Sequence, residues 1–147
     1  MIWIKKILIS LAILLIPMAM MNCKKNEKQA NTASVETQVS DKSKVKIYYF
    51  HGKQRCKTCV TIQKIAEEAF KENFAENNEV AFIEVDFSDR ANTVLADKYE
   101  ISFSSLVIAT ATDHIDLTEL AFSNALSNPD LLKQKVIENT NKYLKQN

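Results

Sequence analysis

Glycine, cysteine and net charge are all scarce in this 147-residue chain, and each scarcity narrows what the chain can be. There are three cysteines, Cys23, Cys56 and Cys59. Beyond the Cys56/Cys59 pair only Cys23, His51 and His114 are on offer, a poor supply for the four ligands of a structural zinc ion. If Cys23 is set apart, no cysteine is left for a separate structural disulfide. Charge nearly cancels, with 19 Lys plus Arg against 18 Asp plus Glu. Without Lys5 and Lys6 the balance is 17 against 18, so long-range steering toward nucleic acid is not indicated. No internal repeat is present. The single glycine, Gly52, stands just before the cysteine pair, which points to an unusual backbone path at that turn.

What is present centres on Lys44 to Phe74. Val45, Ile47 and Tyr49 alternate with Lys46, Tyr48 and Phe50, a β-branched and aromatic run suited to a largely buried strand. His51-Gly52 ends it. After Lys53-Gln54-Arg55-Cys56-Lys57-Thr58-Cys59, the apolar residues Val60, Ile62, Ile65, Ala66, Ala69, Phe70 and Phe74 recur at helical spacing. Cys56 is therefore expected at or just before the first helical turn, where unpaired N–H groups and the helix dipole favour a thiolate. Lys53, Arg55 and Lys57 add positive charge, and His51 is placed to tune the thiol or shuttle a proton. Cys59, one turn on, is within reach as a resolving thiol, so the pair suits dithiol–disulfide exchange. Other readings of the same pair stay open: inert buried thiols, a structural disulfide, or a two-thiolate site for a soft ion such as copper(I) or trivalent arsenic.

Strand, turn, Cys-x-x-Cys and helix together resemble the opening of thioredoxin-like proteins. More narrowly, Tyr48-Tyr49-Phe50-His51-Gly52 followed by Arg55-Cys56-Lys57-Thr58-Cys59 resembles small bacterial thioredoxin-like proteins of an ArsF-type family, named for a nitrophenyl-compound nitroreductase subunit. That resemblance implies a redox role near organoarsenic or nitroaromatic chemistry, without fixing a substrate. It also admits a non-catalytic subunit of a reductase complex.

Met1 to Lys6 carries Lys5 and Lys6, and from Ile7 to Met21 the residues are apolar apart from Ser10, the pattern of an export signal. The apolar run is short for a spanning helix, which needs about 20 residues. Cys23 then precedes Lys24-Lys25-Asn26-Glu27-Lys28, and the abrupt change resembles a bacterial lipoprotein signal, which implies lipidation of Cys23. Asn22 departs from that pattern, where a small residue is usual. Residues 1–22 are thus read as signal peptide or membrane anchor. Residues 23–43 are read as a flexible tether with a reach of about 25 Å, too polar to offset their ordering entropy. Residues 44–147 are read as one domain, since roughly 100 residues support a single core.

Within that domain Val80 to Phe87 reads as a buried strand, parallel to the first through a right-handed crossover. This puts the cysteines at the carboxyl end of a strand. Ser88-Asp89 reads as the cap of a second helix with Ala91, Val94, Leu95 and Tyr99 on its inner face. Leu106 to Ala109 reads as a third strand. Ile115, Leu117 and Leu120 suggest a fourth strand paired with the third, with His114 exposed at its start. Ser127-Asn128-Pro129-Asp130 marks a last helix whose inner face carries Leu131, Leu132, Lys135, Val136, Asn139, Thr140, Tyr143 and Leu144.

Asp86 in its strand and Leu95-Ala96-Asp97-Lys98-Tyr99-Glu100-Ile101 again resemble thioredoxin. Where that family carries a cis-proline opposite the cysteines, this chain has Ser104 or Ser105, a change that should reshape the substrate groove. The pattern as a whole predicts an α/β protein of thioredoxin fold, a central mixed sheet flanked by helices. The expected activity is that of an exported, membrane-tethered thiol–disulfide oxidoreductase in the bacterial cell envelope, with its domain facing the periplasm or exterior. Cys56 attacks, Cys59 resolves, and no cofactor beyond the Cys56–Cys59 disulfide is required. The expected partners are protein or small-molecule thiols and disulfides, and the membrane through a lipid or N-terminal anchor, with no nucleic acid.

Overall fold

The computed structural model describes residues 43–146, all of which belong to one compact unit, Val35–Asn147. The expected signal, Cys23 and nearly all of the tether lie outside the described residues. Strand β1 (Val45–His51) is the centre of the molecule. It pairs in parallel with β2 (Val80–Asp86) and antiparallel with β3 (Ser105–Ala109), and β4 (His114–Asp116) completes the sheet in the order β2-β1-β3-β4. Between the strands and after them lie α1 (Lys57–Asn73), a 3-10 turn at Arg90–Asn92 with α2 (Thr93–Lys98), α3 (Thr118–Asn124) and α4 (Pro129–Gln146). A mixed four-stranded sheet with a β-α-β start, an antiparallel second half and flanking helices is the expected thioredoxin fold. Among the described residues no helix is long and apolar enough to cross a membrane.

Alternation along β1 divides the core. Val45, Ile47 and Tyr49 face one layer with Ile62, Ile65 and Ala66 of α1 and Leu132 and Val136 of α4. Tyr48 and Phe50 face the other side with Val85, Tyr99 and Val107, where Tyr99 packs tilted against both rings. Helix α4 starts where its sequence signals predict: Pro129 occupies the first turn and Asn128 Oδ1 accepts from Leu131 N. Thr140 can be fully buried on its inner face because its hydroxyl donates to the Val136 carbonyl at 2.8 Å.

Three expectations need correction. β2 is an edge strand, bonded to β1 alone, so only Val80 and Val85 are buried and Glu84 is exposed. The second helix turns its faces differently, with Ala91 and Val94 exposed and Ala96 buried. The cause is the start of this segment: the Asp89 carboxylate caps a 3-10 turn, whose tighter winding rotates α2 away from a continuous α-helical phase. Finally, β4 is only three residues long. Asp116 Oδ1 accepts from Thr118 N at 2.7 Å and Thr118 Oγ1 accepts from Leu106 N at 3.0 Å. These bonds end the strand and begin α3, so Leu117 and Leu120 reach the core from a turn and a helix instead.

This packing makes stability sensitive to some side chains and indifferent to others. Leu132→Ala should destabilise the protein by about 2–5 kcal/mol in a urea titration, whereas Val94→Ala should stay within about 0.5 kcal/mol of the parent. Burial, with Tyr99 adding to it, pushes the Tyr48 hydroxyl up to about 12 from its ordinary 10.0. The folded state therefore holds this proton where the unfolded chain releases it. Stability is fully present below pH 10 and falls as pH rises toward 12, by about 2 kcal/mol. Tyr48→Phe should remove most of that decline in alkaline denaturation curves, leaving a smaller slope from Tyr49 and Tyr143, which burial also raises.

Candidate active site

The site is built where β1 leaves the sheet. Gly52 does not take a left-handed conformation, so the unusual backbone expected there is not its purpose. The reason for glycine is steric: a Cβ would stand 3.2 Å from Cζ of Phe87, tighter than ordinary contact. The chain then reaches Cys56, which is extended (φ −76°, ψ 162°) and caps α1 with its own sulfur. Cys56 Sγ accepts from the Cys59 N–H at 3.1 Å, and the Cys56 carbonyl accepts from Val60 N at 3.1 Å. Cys56 and Cys59 are joined by a disulfide, with their Cα atoms 5.1 Å apart. The two sulfurs differ in access, because Cys56 is exposed whereas Cys59 is 7% exposed.

Behind the disulfide lies a polar network on the α1 face of the sheet. The buried Tyr49 hydroxyl donates to the Cys59 carbonyl at 2.6 Å. Burial pushes the Tyr49 hydroxyl up, and Arg55 acts against that. The Arg55 guanidinium stands 5.7 Å above the Tyr49 ring, a cation–π placement. Its Nη1 donates to Glu84 Oε1 at 3.2 Å and its Nη2 to Gln63 Oε1, while Nε is buried without a hydrogen-bond partner. His51 stacks on Tyr49, with Nε2 at 2.9 Å from the same Glu84 oxygen and Nδ1 at 3.0 Å from the Gly52 carbonyl.

The expected site residues are therefore not one group. His51 and Arg55 turn toward Glu84, while Lys53 and Lys57 are exposed to solvent on either side of Cys56 in the sequence. Ser104 and Ser105 are both buried at the start of β3, where Ser105 pairs with Phe50 and its hydroxyl donates to the Phe103 carbonyl at 2.9 Å. Among the described residues there is no cis peptide bond. His114 lies apart, exposed on β4 with its ring edge-on to Tyr99. Sequence reasoning missed Glu84, Gln63 and the role of Tyr49. A signal for Glu84 existed, since it is the one charge in an otherwise apolar run from Val80 to Val85, and parallel pairing sets it opposite Tyr49.

No family model matches this chain, and no curated protein matches it. Solved structures that resemble it include thioredoxin from Wuchereria bancrofti, 17% identical, covering 67% of this chain and 84% of that one with a TM-score of 0.44. The zinc-bound form of human ERp44 is 18% identical over 73% of this chain, with a TM-score of 0.46; this chain spans only 30% of its length. A malarial protein is 18% identical, covering 67% of this chain and 98% of that one with a TM-score of 0.45.

The bond from Tyr49 to the first turn of α1 gives a direct test. Tyr49→Phe removes it while keeping the ring, and should cost about 1 kcal/mol in urea denaturation of the oxidised protein. An unchanged midpoint would mean that the hydroxyl contributes nothing to anchoring Cys59.

Proposed function

We propose that this chain is an exported, membrane-tethered thiol–disulfide oxidoreductase, with Cys56 as nucleophile and Cys59 as resolving thiol. The observation that carries the reading is the asymmetry of the pair at a helix start. The exposed sulfur of Cys56 already accepts an N–H from the first turn, and Cys59 is held buried one turn away. In the reduced protein that same N–H and the helix dipole favour a Cys56 thiolate.

Exchange proceeds in two balanced steps. The Cys56 thiolate attacks one sulfur of a partner disulfide, forms the Cys56–partner bond and releases the other partner sulfur as a thiolate, which takes a proton. Cys59 then loses its proton and attacks Cys56 Sγ, closing Cys56–Cys59 and expelling the second partner thiolate, which is protonated in turn. Two electrons and two protons pass from the dithiol to the partner, and the reverse sequence oxidises a partner dithiol. No cofactor enters either direction.

In this reading residues 1–22 and Cys23 direct export and anchoring, and residues 23–43 let the domain reach partners at the envelope. The resemblance to the ArsF-type family favours partners near arsenic or nitroaromatic redox chemistry. The replacement of cis-proline by Ser104 or Ser105 favours a narrower partner range than a general protein-disulfide reductase.

The test is a trapping experiment. Cys59→Ala should accumulate a mixed disulfide through Cys56, seen as a higher-mass species that collapses on reduction, and Cys56→Ala should accumulate none. A folded Cys59→Ala protein that traps neither a cellular partner nor glutathione would overturn the assignment.

A further inference from the structure

Two of the residues expected to tune Cys56, His51 at the end of β1 and Arg55 in the loop before it, meet on one carboxylate. Glu84 Oε1 accepts from Arg55 Nη1 at 3.2 Å and lies 2.9 Å from His51 Nε2. Arg55 is also fixed by Gln63 and by the Tyr49 ring, so its orientation is set from three sides. A guanidinium does not give up its charge in a protein. The positive charge adjacent in sequence to Cys56 is therefore held against its counter-charge. His51 ties the same carboxylate to the end of β1, since Nε2 faces Glu84 while Nδ1 faces the Gly52 carbonyl oxygen.

We propose that Glu84 is a positioning residue that sets how tightly Cys56 holds its proton and its electrons, by offsetting the field of Arg55 at the start of α1. The proposal rests on the thiol–disulfide reading. Its sign comes from charge. A thiolate at Cys56 gains from Arg55 and loses from Glu84. Neutralising Glu84 leaves Arg55 uncompensated, which stabilises the thiolate and with it the reduced protein, so the disulfide becomes more oxidising. Neutralising Arg55 leaves Glu84 uncompensated and acts in the opposite direction. Two further charges, Lys53 and Asp86, are electrostatically linked to one another, and Asp86 also to His51. The Asp86 carboxyl is held below its ordinary range by its bond from Ser88, with smaller help from His51 and Lys53, and remains in every variant.

The test uses the 147-residue chain, with Cys56 read by peptide mass so that Cys23 does not interfere. For Glu84→Gln, alkylation of reduced Cys56 at pH 6 should be roughly three- to tenfold faster, with the midpoint of its pH profile moved down. The equilibrium with glutathione should move toward the dithiol by roughly three- to tenfold, or about 15–30 mV. Arg55→Gln should shift both readouts the other way. The double variant should return to within about twofold of the parent, as coupled charges require. Glu84→Asp, which keeps the charge, should track the parent more closely than Glu84→Gln.

Single variants that shift in the same direction would overturn the proposal. So would variants that lower the urea midpoint with no change in either readout, since Glu84 would then be only a structural tie. If Glu84→Gln does not fold, the sign of Arg55→Gln alone decides: an upward midpoint supports the proposal, and a downward or unchanged one overturns it. The alkylation profile requires only a reduced thiol. A pair that fails to equilibrate with glutathione therefore defeats the oxidoreductase reading while still reporting on Glu84.

Discussion

The rest of the molecule depends on the burial of β1 on both faces and both edges. Val45, Ile47, Tyr49 and Phe50 are fully buried, and their neighbours on either side are strands in fixed register. A shift of one residue would exchange the Tyr49 face with the Phe50 face and expose the core of both layers, so the register admits no slack. That single register decides the composition of the site. It delivers His51, Gly52 and Cys56 at the end of the sheet, sets Glu84 opposite Tyr49 in β2, and sets Ser105 opposite Phe50 in β3. Residues distant in sequence meet behind the disulfide because the strand between them cannot move.

Local patterns were the legible part of the chain. The alternation of β1, the helical spacing after Cys59 and the cap residues before α4 each express a contact within a few residues, and each element formed where its pattern lay. The parts that did not show depend on position within the whole sheet. Val80 to Val85 reads as buried because its residues are apolar, but the sequence does not say that β2 has a neighbour on one side only. Leu117 and Leu120 carry the right hydrophobicity for a strand, and side-chain bonds of Asp116 and Thr118 redirect them into α3. Gly52 was noticeable by its rarity, yet its cause, the ring of Phe87, belongs to the loop after β2, far along the chain. Among the candidate site residues, the cysteine pair was visible from spacing alone. The division of the cations into a paired set and an exposed set was not, because it depends on Glu84.

That division places the charges around Cys56 in two different surroundings. Lys53 and Lys57 stand in water, where high dielectric weakens their influence and salt screens it beyond about 8 Å. Arg55 is more shielded, at 25% side-chain exposure, so its charge acts through a less polarisable medium than that around the two lysines. Burying an arginine with Nε unbonded costs stability. The cost is offset by bonds to Glu84 and Gln63 and by the Tyr49 ring. Removing one partner from such a cluster exposes the charge of the other, which is why opposite substitutions within it have opposite electrostatic signs.

Access separates the two sulfurs as firmly as charge does. A partner disulfide must approach nearly in line with the attacking sulfur; Cys56 is the exposed residue of the pair, whereas Cys59 is buried in the first turn of α1 with its carbonyl bound by Tyr49. Under the proposed function, intermolecular exchange would run through Cys56. Closure by Cys59 is intramolecular and needs no diffusion, so its rate is set by geometry already present in the folded chain. In the proposed exchange a partner would stay covalently attached only for as long as Cys59 takes to lose its proton and turn toward Cys56. On that proposal the residues that hold the first turn of α1 in place, Tyr49 above all, would bear on the lifetime of the mixed disulfide as well as on the stability of the fold.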